Sequence, residues 1–330
     1  MEVEEVAQVL AHYDVGAALE VAPGGGTANA NARITTEQGT FFLKRRNPKY
    51  ANPDFVAFDH ALMEHLAPHH VGTPLARHNR DSARWTTNKG LVYELFPLYP
   101  GLAHNSSSLP QLTSAGRALA AFHRATEDFK APAGKDWSRY QDPAKIRAGL
   151  DELGDVLTPY LSAEDRRYLD AQVRMLEKLF TDALYHALPK VIVHGDWHPG
   201  NALYGGDQVS GIFDLDWATY QPRVLDLADG LFLWAGTRES PLDATSIVSL
   251  TQTWQPSLAR WGAFVSGYME IGQITDREWD ALLWTVRARW LFCRIGGRVK
   301  LPAESQAGFV AHRLLEPLRA LDTLGSGEWR

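Results

Sequence analysis

Three oxygen-bearing side chains crowd into residues 191–217 of this 330-residue chain: Asp196, Asn201 and Asp214, with His194, His198 and Asp216 beside them. The stretch reads VIVHGDWHPGNALYGGDQVSGIFDLDW. Val191-Ile192-Val193 is apolar and β-branched, the composition of a buried strand. The glycines and proline of His194-Gly195-Asp196-Trp197-His198-Pro199-Gly200-Asn201 exclude a continuous helix, so Asp196 and Asn201 sit on a loop. Ala202-Leu203-Tyr204 and Gly211-Ile212-Phe213 flank a Gly205-Gly206-Asp207 turn, and that hairpin can return Asp214 to the loop. Two carboxylates and an amide brought together suit Mg²⁺, which takes hard oxygen ligands and keeps places open for phosphate oxygens. By residue type alone, His194, Asp196 and His198 also fit a metal-hydrolase cluster or a well-capped loop. Neither accounts for Asn201 and Asp214 together.

The register of these residues resembles a kinase catalytic loop, H-x-D-x-x-x-x-N followed by D-F-G, with Asp214-Leu215-Asp216 in the second position. Gly195 stands where the usual Arg would be, and the H-G-D-x-H-x-x-N variant resembles the aminoglycoside phosphotransferase, choline kinase and homoserine kinase superfamily. The resemblance implies an α+β, bilobal protein-kinase-like fold. Residues 1–96 would form a small lobe of antiparallel sheet plus one helix, and residues 97–330 a larger, mostly helical lobe. It implies ATP and Mg²⁺, with Asp196 as the catalytic base, Asn201 and Asp214 as metal ligands, and His194 and Asp226 as structural support. Asp216 is expected to assist a second ion or orient the acceptor.

These groups need elements to position them. Val3, Val6, Leu10 and Tyr13 recur at helical spacing, so an amphipathic helix opens the chain. Gly24, Gly25, Gly26 and Thr27 precede an alternating segment, residues 32–44, with a Gln38-Gly39 turn: a hairpin whose loop amides could cover phosphates. Phe41-Phe42-Leu43-Lys44 ends a strand in a lysine, as V-A-I-K does in kinases, which makes Lys44 the expected phosphate-binding lysine. Its carboxylate partner should come from a helix over residues 54–66. Asp59 shares a face with Phe55, Leu62, Met63 and Leu66, whereas Glu64 faces solvent, so Asp59 is the expected partner. Gly90-Leu91-Val92-Tyr93-Glu94-Leu95-Phe96 is a strand, and by resemblance the hinge; the Glu94 carbonyl and the Phe96 amide are the expected adenine contacts.

Beyond Pro100-Gly101 the pattern turns helical, with Ser108 capping a Leu112, Ala115, Leu119, Phe122 stripe. Further helical segments fall at residues 142–153 and 163–186. Residues 250–324 are helical and rich in Trp, most of it packing. Trp197, His198 and Arg294 are the acceptor-side candidates; the run Arg287-Ala288-Arg289-Trp290-Leu291-Phe292-Cys293-Arg294 resembles the late helix of homoserine kinase-like proteins, where an Arg can meet an acceptor carboxylate in a bidentate pair. Only about ten residues separate Asp216 from the next helix, with no A-P-E motif, which favours a small hydroxyl acceptor (homoserine-, sugar-, choline- or aminoglycoside-like) over a regulated protein kinase. A compact protein Ser/Thr kinase and a nucleotide-binding pseudokinase are the alternatives.

Composition bounds the rest. A formal net charge of −6 gives no basic footprint for nucleic acid. A single cysteine, Cys293, makes no disulfide framework. Glu2, Glu4 and Glu5 near Met1 are unlike a signal peptide, and no apolar run reaches membrane-spanning length. The expectation is a cytoplasmic protein working on a small molecule without a membrane partner.

Overall fold

The computed structural model describes residues 1–26, 28–135, 142–243 and 245–324. Strands β1 (Ala18–Pro23), β2 (Ala30–Thr36), β3 (Gly39–Arg45), β4 (Thr86–Asn88) and β5 (Leu91–Pro97) form one antiparallel sheet in the order β1-β2-β3-β5-β4. The β2–β3 turn ends at Gly39, whose φ of +131° a side chain would strain. Alternation along β3 sends Phe41 and Leu43 to one face, where helix α1 (Val3–Leu10) covers them with Val6, Val9 and Leu10. Phe42 and Lys44 therefore face the other way, and so does Arg46 just beyond the strand. That face looks at the rest of the molecule.

Helix α2 (Pro53–Leu66) starts where Asn52 accepts a bond from the Asp54 amide and Pro53 occupies the first turn. Its Phe58, Leu62, Met63 and Leu66 do not join the sheet's core. They pack in the large cluster that also holds Val71, Ala76 and most of the chain after Pro97. Asp59 thus sits where the two packing units meet.

The larger unit is mostly helical: α3 (Leu109–Ala125), α4 (Pro143–Leu153), α5 (Ala163–Leu179), α6 (Asp182–Ala187), α7 (Val224–Asp229), α8 (Leu258–Met269), α9 (Asp276–Gly297), α10 (Ala303–Ala311) and α11 (Glu316–Asp322). Ser108 caps α3 by accepting from the Gln111 amide, and capping boxes at Ser162/Asp165 and Thr275/Glu278 start α5 and α9. Between α6 and α7 lie two small antiparallel pairs. Strand β6 (Lys190–Val193) pairs with β9 (Thr219–Pro222), and β7 (Ala202–Gly205) with β8 (Gln208–Ile212). Trp197, Trp234, Trp254, Trp261 and Trp290 are fully buried. No helix among the described residues is long and apolar enough to cross a membrane.

Helices α3 and α8 approach through glycines. A Cβ on Gly116 would lie 1.9 Å from the Phe264 carbonyl oxygen, and one on Gly267 1.9 Å from that of Thr113. Both obstacles are backbone and cannot rotate away. Gly267→Ala is therefore expected to lose about 1–3 kcal/mol through overpacking, read as a lower urea midpoint at unchanged slope. A midpoint equal to that of the parent protein would show that the helices can part freely.

Candidate active site

Strand β6 delivers the loop, and helix α7 fixes it. The Asp226 carboxylate accepts from the backbone amides of His194 (2.6 Å) and Gly195 (2.9 Å) and from His123 Nε2 (2.9 Å). Burial opposes its charge, yet the bond and attraction of His123, the attraction of His194 and the Gly195 amide hold its pKa low. His194 is wholly buried and donates from Nε2 to the Phe213 carbonyl at 2.9 Å, while its Nδ1 accepts from the Asp196 amide at 3.3 Å. His198 Nδ1 accepts from the Gly200 amide at 3.0 Å. Three ring nitrogens of the two histidines thus serve the backbone, so the metal-hydrolase reading of this loop has no donor set. The Asn201 Nδ2 bonds the Asp196 carbonyl at 2.9 Å, and the Asn201 carbonyl accepts from the Phe213 amide at 2.9 Å. These links knit residues 194, 196, 201 and 213 into one unit and set Asp214 at its edge, with a left-handed φ of +62°.

The Asp196 side chain is 32% exposed, in contrast to its buried neighbours. Its Oδ2 lies 3.5 Å from His198 Nε2 and its Oδ1 3.5 Å from Arg289 Nη2. Burial raises its pKa, but the attraction of His198, Arg289 and His194 prevails and keeps it well below the usual carboxylate range. It is an ionised, accessible carboxylate at pH 7. His198 moves up in turn, because Asp196 outweighs its burial.

Lys44 reaches across from the sheet. Its Nζ bonds Asp214 Oδ1 at 2.9 Å and Asp216 Oδ1 at 2.7 Å. The expected pairing with Asp59 is not made. Asp59 bonds Arg46 at 2.7 Å and is also bonded by Lys135, because Arg46 is on the same face as Lys44 and sits nearer α2. Arg46 in addition grips Glu94 with Nε (2.9 Å) and Nη2 (2.7 Å). Arg46, Asp59 and Glu94 are all buried. Burial pushes Asp59 up despite Lys135 and Arg46, whereas Glu94 is held well down because Arg46 overcomes its burial. Glu64 is exposed and pairs with Arg84.

Asp216 is also not on the acceptor side. Its side chain is only 3% exposed, against 38% for Asp214, and is held by Lys44, by Asn29 Nδ2 at 2.7 Å and by Arg46 at 3.5 Å. Lys135 spans the two units: it bonds Asp59, donates to the Leu215 carbonyl at 3.0 Å, and its own carbonyl accepts from Thr219.

The glycine-rich loop adopts left-handed backbone at Gly25 (+76°) and Gly26 (+96°), and the Asn31 side chain bonds the Gly25 carbonyl at 2.8 Å. Thr27 lies outside the described residues. The adenine contacts need correction. In the β3–β5 ladder Lys44 faces Glu94 and Phe42 faces Phe96, and the bonds at its ends run from Arg46 N to Val92 O and from Leu98 N to Thr40 O. Antiparallel alternation makes Lys44/Glu94 and Phe42/Phe96 hydrogen-bonded pairs, so the Glu94 carbonyl and Phe96 amide are spent on β3. The next outward groups are the Pro97 carbonyl and the Tyr99 amide.

Two acceptor-side candidates leave the site. Trp197 is 0% exposed, packed against His194 and Trp234 with its carbonyl bonded by Trp234 Nε1, so it is core. Arg294 is fully buried, stacked between Trp290 and Phe309, and donates to the carbonyls of Leu250 and His312. Four residues not read from the sequence matter here, Asn29, Arg46, Lys135 and Asp229; Arg289, one of the arginines in the run expected to meet an acceptor, faces Asp196 and Asp229 instead. Arg46 carried a signal, its two-residue offset from Lys44. Asp229 lies one turn from Asp226. Lys135 sits in a loop with no pattern to mark it.

With Nδ2 engaged, Asn201 offers its Oδ1; with Oδ1 on Lys44, Asp214 offers its Oδ2. Two hard oxygen donors beside an ionised Asp196, with the histidine nitrogens committed elsewhere, fit a divalent cation that keeps places for phosphate oxygens.

The sequence profile of the phosphotransferase enzyme family matches residues 20–264. A homoserine kinase of Rhodopseudomonas palustris (strain BisB18) is 28% identical over 318 residues, 91% of this chain and 86% of its own. One of Bradyrhizobium sp. (strain BTAi1) is 30% identical over 248 residues, 73% of this chain and 72% of its own. Among solved structures, an amicoumacin kinase in complex with AMP-PNP, Ca²⁺ and Ami superposes with a TM-score of 0.69 at 12% identity, over 99% of this chain and 95% of its own.

Replacing Arg46 by Met would take the central cation from two buried carboxylates, leaving Asp59 only Lys135 and Glu94 only His60 among the described residues. A loss of about 3–5 kcal/mol is expected in chemical denaturation. Lys44→Met should lose less, because Asp214 is 38% exposed and the buried Asp216 keeps Asn29 and Arg46. Equal losses for the two variants would show that the buried network does not hold the units together.

Proposed function

The chain belongs to the phosphotransferase enzyme family, and from that premise we propose that it moves the terminal phosphoryl group of ATP to a hydroxyl of a small molecule, with homoserine the first acceptor to test. One contact carries the reading above the others. Lys44 on the sheet bonds Asp214 on the hairpin at 2.9 Å, across the gap in which the phosphates of a nucleotide would lie. Homoserine is chosen because relatives bearing that activity in their names align over 91% and 73% of this chain.

ATP would enter with its adenine against the Pro97 carbonyl and the Tyr99 amide, and its phosphates beneath Gly25 and Gly26. Lys44 would then turn one of its two carboxylate bonds over to phosphate oxygen. Asn201 and Asp214 are the residues that would hold Mg²⁺, which when bound neutralises charge on the phosphates. Asp196 is the catalytic base. Its carboxylate accepts the acceptor's hydroxyl proton while the hydroxyl oxygen forms a bond to the γ-phosphorus and the bond to the ADP oxygen breaks. The low pKa of Asp196 makes it a weak base in the ground state, as suits a transition state in which proton transfer is late and positioning supplies most of the rate. His198, with Nε2 facing Asp196, stands on the acceptor side of that carboxylate.

Asp196→Asn should lower kcat by about 10²–10⁴-fold, as for removal of a general base, with ATP affinity changed only a few-fold. Retained turnover would remove Asp196 from the role. Lys44→Ala should act on the nucleotide step, raising the KM for ATP; an unchanged KM would exclude it as a phosphate ligand. Consumption of ATP with homoserine, sugars, choline and aminoglycosides as separate acceptors tests the substrate. Turnover with another hydroxyl compound alone would replace homoserine, and turnover with none would sink the phosphotransferase reading.

A further inference from the structure

Asp196 needs something to hold it, because the loop backbone fixes its Cα but not its carboxylate. Helix α9 supplies a candidate far along the chain. Arg289 is buried, with Nη2 3.5 Å from Asp196 Oδ1 and 3.5 Å from the Gly195 carbonyl. The same guanidinium is bonded through Nε and, at 3.1 Å, through Nη2 to the two oxygens of Asp229. Asp229 is itself buried, and it lies three residues after Asp226 on α7. One helix therefore holds the loop twice. Asp226 takes the amides of His194 and Gly195, and Asp229 aims the guanidinium that faces the Gly195 carbonyl and the Asp196 carboxylate.

We propose that Arg289, clamped by Asp229, is a positioning residue that fixes the carboxylate of Asp196 for proton acceptance. The inference rests on the reading of Asp196 as the base. A planar fork can meet Asp229 with one edge and still present a donor to Asp196. A lysine carries the charge but cannot do both. The arrangement also means that Arg289 is committed to two carboxylates and is not a spare cation for an acceptor.

The test uses the full-length protein carrying Arg289→Gln, Arg289→Lys, Asp229→Asn and the double change Asp229→Asn/Arg289→Gln. Wild-type turnover of Mg-ATP is first measured with homoserine, with the other hydroxyl compounds and with water. No turnover in any of them would overturn the phosphotransferase reading and this inference with it. Given turnover, Arg289→Gln should lower kcat by about 10²-fold, the scale of a misplacement near 1 Å, while the KM for ATP and the thermal shift on adding Mg-ATP stay close to wild type. Arg289→Lys should recover part of kcat. Asp229→Asn, which is isosteric, should lower kcat in the same sense, and the double variant should be no worse than Arg289→Gln alone, since both act through one contact. A kcat within threefold of wild type in Arg289→Gln, losses that multiply in the double variant, or a kcat that falls only as the fraction of ATP-responsive protein falls would each overturn the clamp while leaving phosphotransfer intact.

Discussion

A buried guanidinium sets the geometry on which the site depends. Arg46 leaves the end of β3 and meets Asp59 of α2 and Glu94 of β5, all three out of solvent. Around it, Lys44 and Lys135 add two cations and Asp214 and Asp216 two carboxylates, three positive groups against four negative. Charges removed from water must be paired or they are severely destabilising. The partners come from the sheet, α2, the segment after α3 and the stretch after the hairpin, so the pairing is satisfied in one relative placement of these parts. The apolar contacts would tolerate small slips between these parts; the charges would not. Arginine suits the central place because its fork serves Glu94 with one edge while Nη1 reaches Asp59.

The loop beneath is stiff for a related reason. His194, His198 and Asn201 each use side-chain atoms on backbone groups within residues 195–213, and Asp226 ties the first two amides. What remains accessible after this internal bonding is Asp196 and Asp214, with about a third of each side chain exposed. The surplus negative charge of the cluster is gathered where a divalent ion and a proton would be received. Exposure, not residue type, separates these two from Asp216, which is held by Lys44, Asn29 and Arg46.

Periodicity and turn chemistry made the framework legible. The Gln38-Gly39 turn, the cap at Ser108, the inward position of Asp59 and the strand–loop–hairpin around Asp196 all follow from local rules. Three kinds of feature did not. Which cation Asp59 meets depends on how far β3 extends past Lys44, and a two-residue step moves the partner from Lys44 to Arg46. Whether an arginine of α9 faces the site depends on helix rotation against α7; Arg294 is turned into the core, and it is Arg289, five positions earlier, that reaches Asp196. Backbone contacts at the hinge depend on ladder parity, and β5 carries its pairing with β3 through Phe96, moving the outward groups to Pro97 and Tyr99. Each is a matter of register, which side-chain pattern constrains only modulo a turn or a strand pair.

The path of the chain after Asp214 bears on what can be phosphorylated. Residues Leu215–Trp217 form a single 3₁₀ turn, β9 follows at Thr219–Pro222 in register with β6, and α7 begins at Val224. The Leu215 carbonyl and Thr219 are both bonded to Lys135, and Trp217 lies under the Lys49 ammonium. Most of this connection is thereby committed to the 3₁₀ turn, the paired strand or a contact with Lys135 and Lys49. A protein acceptor needs an extended surface beside the base on which a peptide can lie, and regulated kinases build it from the segment that is here reduced to one turn and a paired strand. Beside the accessible carboxylate of Asp196 the part-exposed neighbour is His198, a single side chain, which is in keeping with a small acceptor whose hydroxyl is the group that must reach the carboxylate.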